Sequence, residues 1–250
     1  MPPPDVVQPL LDRFTADVGG VLPLTALWAH GSLALGDYQP GRSDLDLVAL
    51  IETAPAAEQR HHLLLAHEAL HRQVPLAEKL HCSYVVGSEL GDADRTHLTW
   101  AHGELFARIV SPVTRRELRQ GGLSLVGADP AAVVPPVSDD ELADYVRGDM
   151  RDFWYPKTVI PDLWLQDIWV DLGLLTFARA TVTLREGRLI TKREALDVLA
   201  GRGAPPGVLR DIFARRYENP PPLAESWRAE RGRQARTYLR EAIGQFLALA

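Results

Sequence analysis

Residues 127–138, GADPAAVVPPVS, divide the chain into two stretches of different period. Three prolines there fix φ and remove backbone donors, and little in the segment could anchor a core, which is linker chemistry. Before it, apolar runs of strand length alternate with helical patterns. After it, every patterned stretch has the helical period. A chain of 250 residues has room for two domains. The break predicts a first domain over 1–134 and a second over 135–250. No internal repeat or low-complexity block interrupts either half.

In the first half the patterns predict helices over 5–18 and 55–73. Strands are expected over 24–30, 44–51, 79–86, 104–110 and 123–126. Strand–turn–strand–helix–strand gives a mixed sheet carrying helices. In the second half, Ser138 with Glu141 and Thr191 with Glu194 are capping-box signatures. Helices are expected after Ser138, over 162–185 closed by Gly187, from Thr191 to a stop at Gly201, over 205–217 and over 223–249. The expected class is α+β: a mixed sheet with helices, followed by an all-α helical bundle.

Apolar residues make up 46% and charged residues 24%, enough for a real core, and the net charge is -6. An acidic chain is poorly matched to a nucleic-acid backbone and better matched to a small cationic partner. The single cysteine, Cys82, excludes an internal disulfide and a multi-cysteine zinc site. No apolar run reaches membrane-spanning length, and the N-terminal residues show no signal-peptide pattern. The expectation is a cytoplasmic monomer that acts on a small molecule.

The informative segment is 28–51, WAHGSLALGDYQPGRSDLDLVALI. A strand ends in His30-Gly31-Ser32, a turn-rich loop follows, and a second strand opens with Asp44-Leu45-Asp46. Side chains alternate along a strand, so Asp44 and Asp46 share a face. Two carboxylates so placed suit Mg²⁺, which takes one or two carboxylates plus substrate phosphates. Gly31 would let the backbone approach a phosphate, and the Ser32 hydroxyl could hold it.

With these residues the chain resembles the nucleotidyltransferase superfamily related to DNA polymerase β, whose motif is Gly-Ser followed by Asp-x-Asp. Residues 174–199, LLTFARATVTLREGRLITKREALDVL, are similar to the helical domain of the aminoglycoside 3''/9-adenylyltransferases, the streptomycin–spectinomycin resistance enzymes. The resemblance implies an ATP- and Mg²⁺-dependent enzyme that transfers AMP to a hydroxyl of an aminoglycoside-like acceptor. It further implies that Arg179 and Lys192 reach the ATP phosphates, as cations on a triphosphate should. Gly103-Glu104 matches a Gly-Glu pair of the family.

Two departures from that pattern stand out. The family uses a third carboxylate as general base on the strand after the long helix, and alignment by Val85-Val86 puts Cys82 there. Glu104 is the first substitute and Glu78 the next, with His81 adjacent on the opposite face. The acceptor-facing residues of the family also differ, and Trp164, Asp167, Trp169 and Asp171 are the acidic and aromatic candidates here, with Trp164, Asp167 and Asp171 expected to contact the acceptor. Two other functions compete. A catalytically altered relative would bind nucleotide and modify another acceptor or none. A zinc hydrolase is suggested by His67-Glu68-Ala69-Leu70-His71, a literal H-E-x-x-H, although Arg72 and Gln73 follow it and no third histidine extends it.

Overall fold

The computed structural model describes residues 4–248. The chain divides into two compact units, Met1–Val137 and Ser138–Ala250.

The first unit runs α1 (Gln8–Gly19), β1 (Leu24–Ala29), α2 (Gly31–Ala34), β2 (Leu45–Ile51), α3 (Ala57–Gln73), β3 (Leu80–Val86), β4 (Thr96–Ala101), β5 (Glu104–Ile109), α4 (Pro112–Gly121), β6 (Leu123–Val126) and α5 (Pro130–Val133). Its six strands form one sheet in the order β5-β4-β3-β2-β1-β6. Strands β2 and β3 are parallel, and α3 is the crossover that parallel neighbours require. The other pairings are antiparallel.

Strand parity builds two cores. Leu45, Leu47, Ala49 and Ile51 of β2 join Cys82, Tyr84, Leu63, Leu70 and Phe14 on one face of the sheet. Val48 and Leu50 join Trp28, Val85, Leu118 and Val134 on the other. Asp44 and Asp46 share the parity of Val48 and Leu50. They therefore stand at the opening end of β2, on the second face, where the apolar cover gives way.

Besides the short helices α2 and α5, which fall in the expected loop and linker, strand β4 and helix α4 were not expected from the sequence. In β4, the covered side chains His97 and Thr99 are polar, and Thr99 is held by the Ser83 hydroxyl at 3.0 Å. Leu98 and Trp100 join the apolar core on the other face, so both faces of the strand are covered. Helix α4 carries a legible start: the Ser111 hydroxyl accepts the Thr114 N–H at 3.1 Å, and Pro112 follows at the first helical position.

The second unit is helical: α6 (Asp139–Gly148), a π-helical segment Asp149–Trp154, α7 (Tyr155–Lys157), a 3-10 segment Pro161–Leu165, then α8 (Asp167–Glu186), α9 (Lys192–Gly201), α10 (Pro206–Tyr217) and α11 (Glu225–Ala248). The caps form as the sequence implies. Ser138 accepts the Glu141 N–H, Thr191 and Glu194 make a reciprocal box, and Gly187 closes α8 with φ +62°. The helix expected over 162–185 breaks at Gln166, whose extended backbone separates the 3-10 segment from α8. Trp164 lies before that break.

The second unit also holds a charged core. Arg231 is fully buried and bonds Asp211 at 3.0 Å and Asp167 at 2.7 Å. Arg215 pairs with Asp171, with Asp211 at 3.0 Å and with Asp167 at 3.2 Å, tying α10 to α8. Burial raises the Asp171 carboxyl to about 6, although Arg215 and Arg216 pull it the other way.

Candidate functional site

The end of β1, helix α2 and the start of β2 come together at Asp46. The His30 N–H donates to the Asp46 carbonyl at 2.9 Å, which closes the β1–β2 pair beyond Ala29–Leu47. Gly31 then turns with φ +62°. A Cβ at Gly31 would meet Asp46 Oδ2 at 2.6 Å, so glycine is required for both backbone and space. The next residue, Ser32, has a buried Oγ without a hydrogen-bond partner. A buried hydroxyl left unsatisfied costs free energy unless a ligand completes it. Tyr38 Oη is in the same condition, and burial first, then the charge of Asp44, raises its pKa.

On β3, the partner of Asp46 in register is His81, and Leu47 is the partner of Cys82. His81 Nδ1 lies 3.6 Å from Asp46 Oδ1. The ring of His102 meets His81 edge-on at 4.7 Å. His102 has φ +56° and precedes Gly103 in a two-residue turn between β4 and β5, a turn that demands the left-handed region at both positions. His30 completes the face. Its Nδ1 is 3.0 Å from Glu117 Oε2 on α4. Burial lowers the His30 pKa, but the Glu117 hydrogen bond and the nearby Asp46 and Glu117 charges outweigh it and raise the group overall.

These positions bear on four residues singled out from the sequence: Cys82, Glu104, Glu78 and Trp164. Cys82 is wholly buried among the apolar side chains of the opposite face, and burial pushes its thiol well up. The polar position beside Asp46 on β3 belongs to His81. Glu104 is exposed at the start of β5, the edge strand three places from β2. At about 4.8 Å per strand its backbone stands roughly 14 Å from that of Asp46, so it is not a neighbour of the carboxylate pair. Glu78 is also exposed, on the 3-10 turn before β3. Trp164 is fully buried, donates from Nε1 to the Lys157 carbonyl at 3.0 Å and packs against Gly173, so it is a core residue and not an acceptor contact.

The sequence did not single out the His30–Glu117 pair, although His30 directly precedes Gly31-Ser32. Glu117 could be found only once α4 was known. The H-E-x-x-H segment is not a metal site. His67 is buried, bonds Tyr84 Oη at 2.7 Å and stacks on Trp100 at 4.5 Å, and burial lowers its pKa to about 3. His71 is exposed, and Glu68 pairs with Arg72 at 3.7 Å.

In the second unit, Arg179 Nε donates to the Ile190 carbonyl at 3.0 Å, two residues before Lys192. This brings the α8 guanidinium to the start of α9, where Lys192 is the first residue. Asp167 and Asp171 face the arginines of the charged core, with Asp167 still half-exposed.

Among the described residues no group of three or more histidine, cysteine, aspartate or glutamate side chains forms a metal cage. No helix among the described residues is long and apolar enough to cross a membrane.

No family model matches the chain, and no curated protein matches it. Among solved structures it is similar to the spectinomycin adenyltransferase AAD(9) from Enterococcus faecialis, solved with ATP and spectinomycin. Identity is 14%, the match covers 94% of this chain and 98% of that one, and the TM-score is 0.73. The resemblance carried by Gly31-Ser32, Asp44-Leu45-Asp46 and the Arg179–Lys192 stretch thus holds at the level of the fold. This chain has the α+β fold of a spectinomycin adenyltransferase, a mixed six-stranded sheet unit followed by a helical unit.

Proposed function

We propose that the protein is a nucleotidyltransferase that moves AMP from ATP to a hydroxyl of an aminoglycoside-like small molecule. The observation that carries this reading is the close packing of Gly31 on Asp46 together with the unsatisfied, buried hydroxyl of the next residue, Ser32, with Asp44 on the same strand face as Asp46. Ser32 Oγ donates to a phosphate oxygen. Asp44 and Asp46 hold Mg²⁺, which when bound neutralises charge on the phosphates. His81, beside Asp46, accepts the hydrogen bond of the attacking hydroxyl and orients it. The acceptor oxygen bonds to the α-phosphorus, pyrophosphate leaves with the electron pair of the broken bond, and the hydroxyl proton departs toward His81. In the second unit, Arg179 and Lys192 form a cationic pair suited to triphosphate oxygens.

The test is a panel of aminoglycosides and spectinomycin incubated with ATP and Mg²⁺ and read by mass. An acceptor heavier by AMP, with pyrophosphate released, is the expected result. Saturable ATP binding with no modified acceptor would favour a catalytically altered relative instead.

A further inference from the structure

A cavity of about 400 Å³ opens in the second unit between α7 and the C-terminal half of α11. Tyr155 forms one wall, and Arg236, Thr237, Arg240, Glu241 and Gly244 line the other. A volume of that order is one a small molecule fills. Positions 236, 240 and 244 are spaced by four residues, so they fall on one face of α11.

Two guanidiniums therefore stand one turn apart in a single cavity. Like charges at that spacing destabilise a helix unless a counter-charge offsets them. Elsewhere on α11 the counter-charge is present: Arg231 meets Asp211 at 3.0 Å, and Arg233 meets Glu230. Among the described residues no carboxylate forms an ion pair with Arg236 or Arg240. Arg236 donates one N–H to the Thr158 carbonyl at 3.3 Å. Thr158 is itself wholly buried and bonded to the Tyr155 carbonyl at 2.6 Å, so the Arg236 stem is anchored on a fixed turn. Arg240 lies over the Tyr155 ring at 5.6 Å, which orients its planar fork without using any of its N–H donors.

The rest of the cavity is not built for a bare anion. A Cβ at Gly244 would meet nothing within 4 Å, so the helix face beyond Arg240 is open space. Glu241, exposed on the adjoining face with Thr237, sets a carboxylate on the same lining. A carboxylate there repels a second negative group and accepts hydrogen bonds from hydroxyls. Two forks suit a phosphate, which offers roughly two charges at pH 7 and three acceptor oxygens, where a carboxylate would occupy one fork.

We propose that this cavity binds a phosphorylated polyol of hexose size, its phosphate on Arg236 and Arg240 and its hydroxylated body over Gly244, with hydroxyls donating to Glu241. The site lies wholly within the second unit and does not rest on the nucleotidyl-transfer reading, because neither Lys192 nor the carboxylate pair enters it.

The test is calorimetric titration of the intact protein with glucose 6-phosphate, without nucleotide or divalent metal. Saturable one-to-one binding is expected. Arg240→Met should weaken it at least tenfold, whereas Lys192→Met should leave it unchanged. Gly244→Leu fills the open space, so it should abolish glucose 6-phosphate binding and retain that of inorganic phosphate. In the wild type, inorganic phosphate should bind at least tenfold more weakly than the sugar phosphate, and glucose should not bind. Arg240 is exposed and Gly244 has free space around it, and circular dichroism checks that each variant folds. Four results would each overturn the proposal: no saturable binding, equal affinity in Arg240→Met, unchanged sugar-phosphate binding in Gly244→Leu, or loss of binding in Lys192→Met, which would place the phosphate at the other cationic pair.

Discussion

Asp46 and His81 are register partners on the parallel strands β2 and β3, and their side chains meet at 3.6 Å between Oδ1 and Nδ1. The pairing follows from parallel register, which sets residues of the same parity side by side on one face. It gives the carboxylate pair a third polar neighbour that is an imidazole.

His81→Ala is therefore expected to lower nucleotidyl transfer by 10²-fold or more, the usual scale for a lost proton-handling group. Glu104→Gln is expected to stay within a few-fold of wild type. Cys82→Glu should destabilise the protein, because it buries a carboxylate among apolar side chains. Full activity in His81→Ala with loss in Glu104→Gln would reverse the assignment.

Gly31→Ala places a methyl where Asp46 Oδ2 stands and forces a left-handed backbone on alanine. The expected cost is about 1–3 kcal/mol of stability, with displacement of Asp46 and loss of most activity. Asp46→Asn keeps the space and removes the charge, so it should fold normally and lose activity by several orders of magnitude. Chemical denaturation beside turnover assays separates the two effects.

His67 gives a pH signature. Its folded pKa is about 3 against an ordinary 6.5, so the folded state keeps it neutral while the unfolded chain takes up a proton. This contribution to stability is full above pH 6.5 and is lost as pH falls toward 3. At pH 4.5 the loss is about 2–3 kcal/mol. His67→Gln should flatten the pH dependence of the urea midpoint between pH 7.5 and 4.5 by that amount. An unchanged slope would show that His67 is not the group responsible.

Arg215→Met would leave Asp171 and Asp211 without their shared cation. Breaking one side of a buried pair costs about 3–5 kcal/mol. Asp171 has a raised folded pKa, so its ionisation opposes folding as pH climbs from its unfolded value through about 6. The Arg215→Met defect should therefore be smaller at pH 5 than at pH 7.5, and Asp171→Asn in the same chain should recover part of it. Thermal melts at the two pH values check both outcomes.

The sequence by itself determined what depends on neighbours along the chain. The α+β class followed from the change of period, the caps at Ser138 and Thr191 from side chains bonding a backbone three residues away, and the stop at Gly187 from a left-handed backbone that glycine adopts freely. Alternation along one strand likewise put Asp44 and Asp46 on one face. Only the tertiary structure decided what depends on pairing between distant segments. It set His81 and not Cys82 beside Asp46, carried Glu104 to the far edge of the sheet, joined Glu117 to His30 and buried Trp164. Periodicity fixes which face a residue takes relative to its own strand, whereas register and strand order, set by long-range packing, fix which other residue it meets.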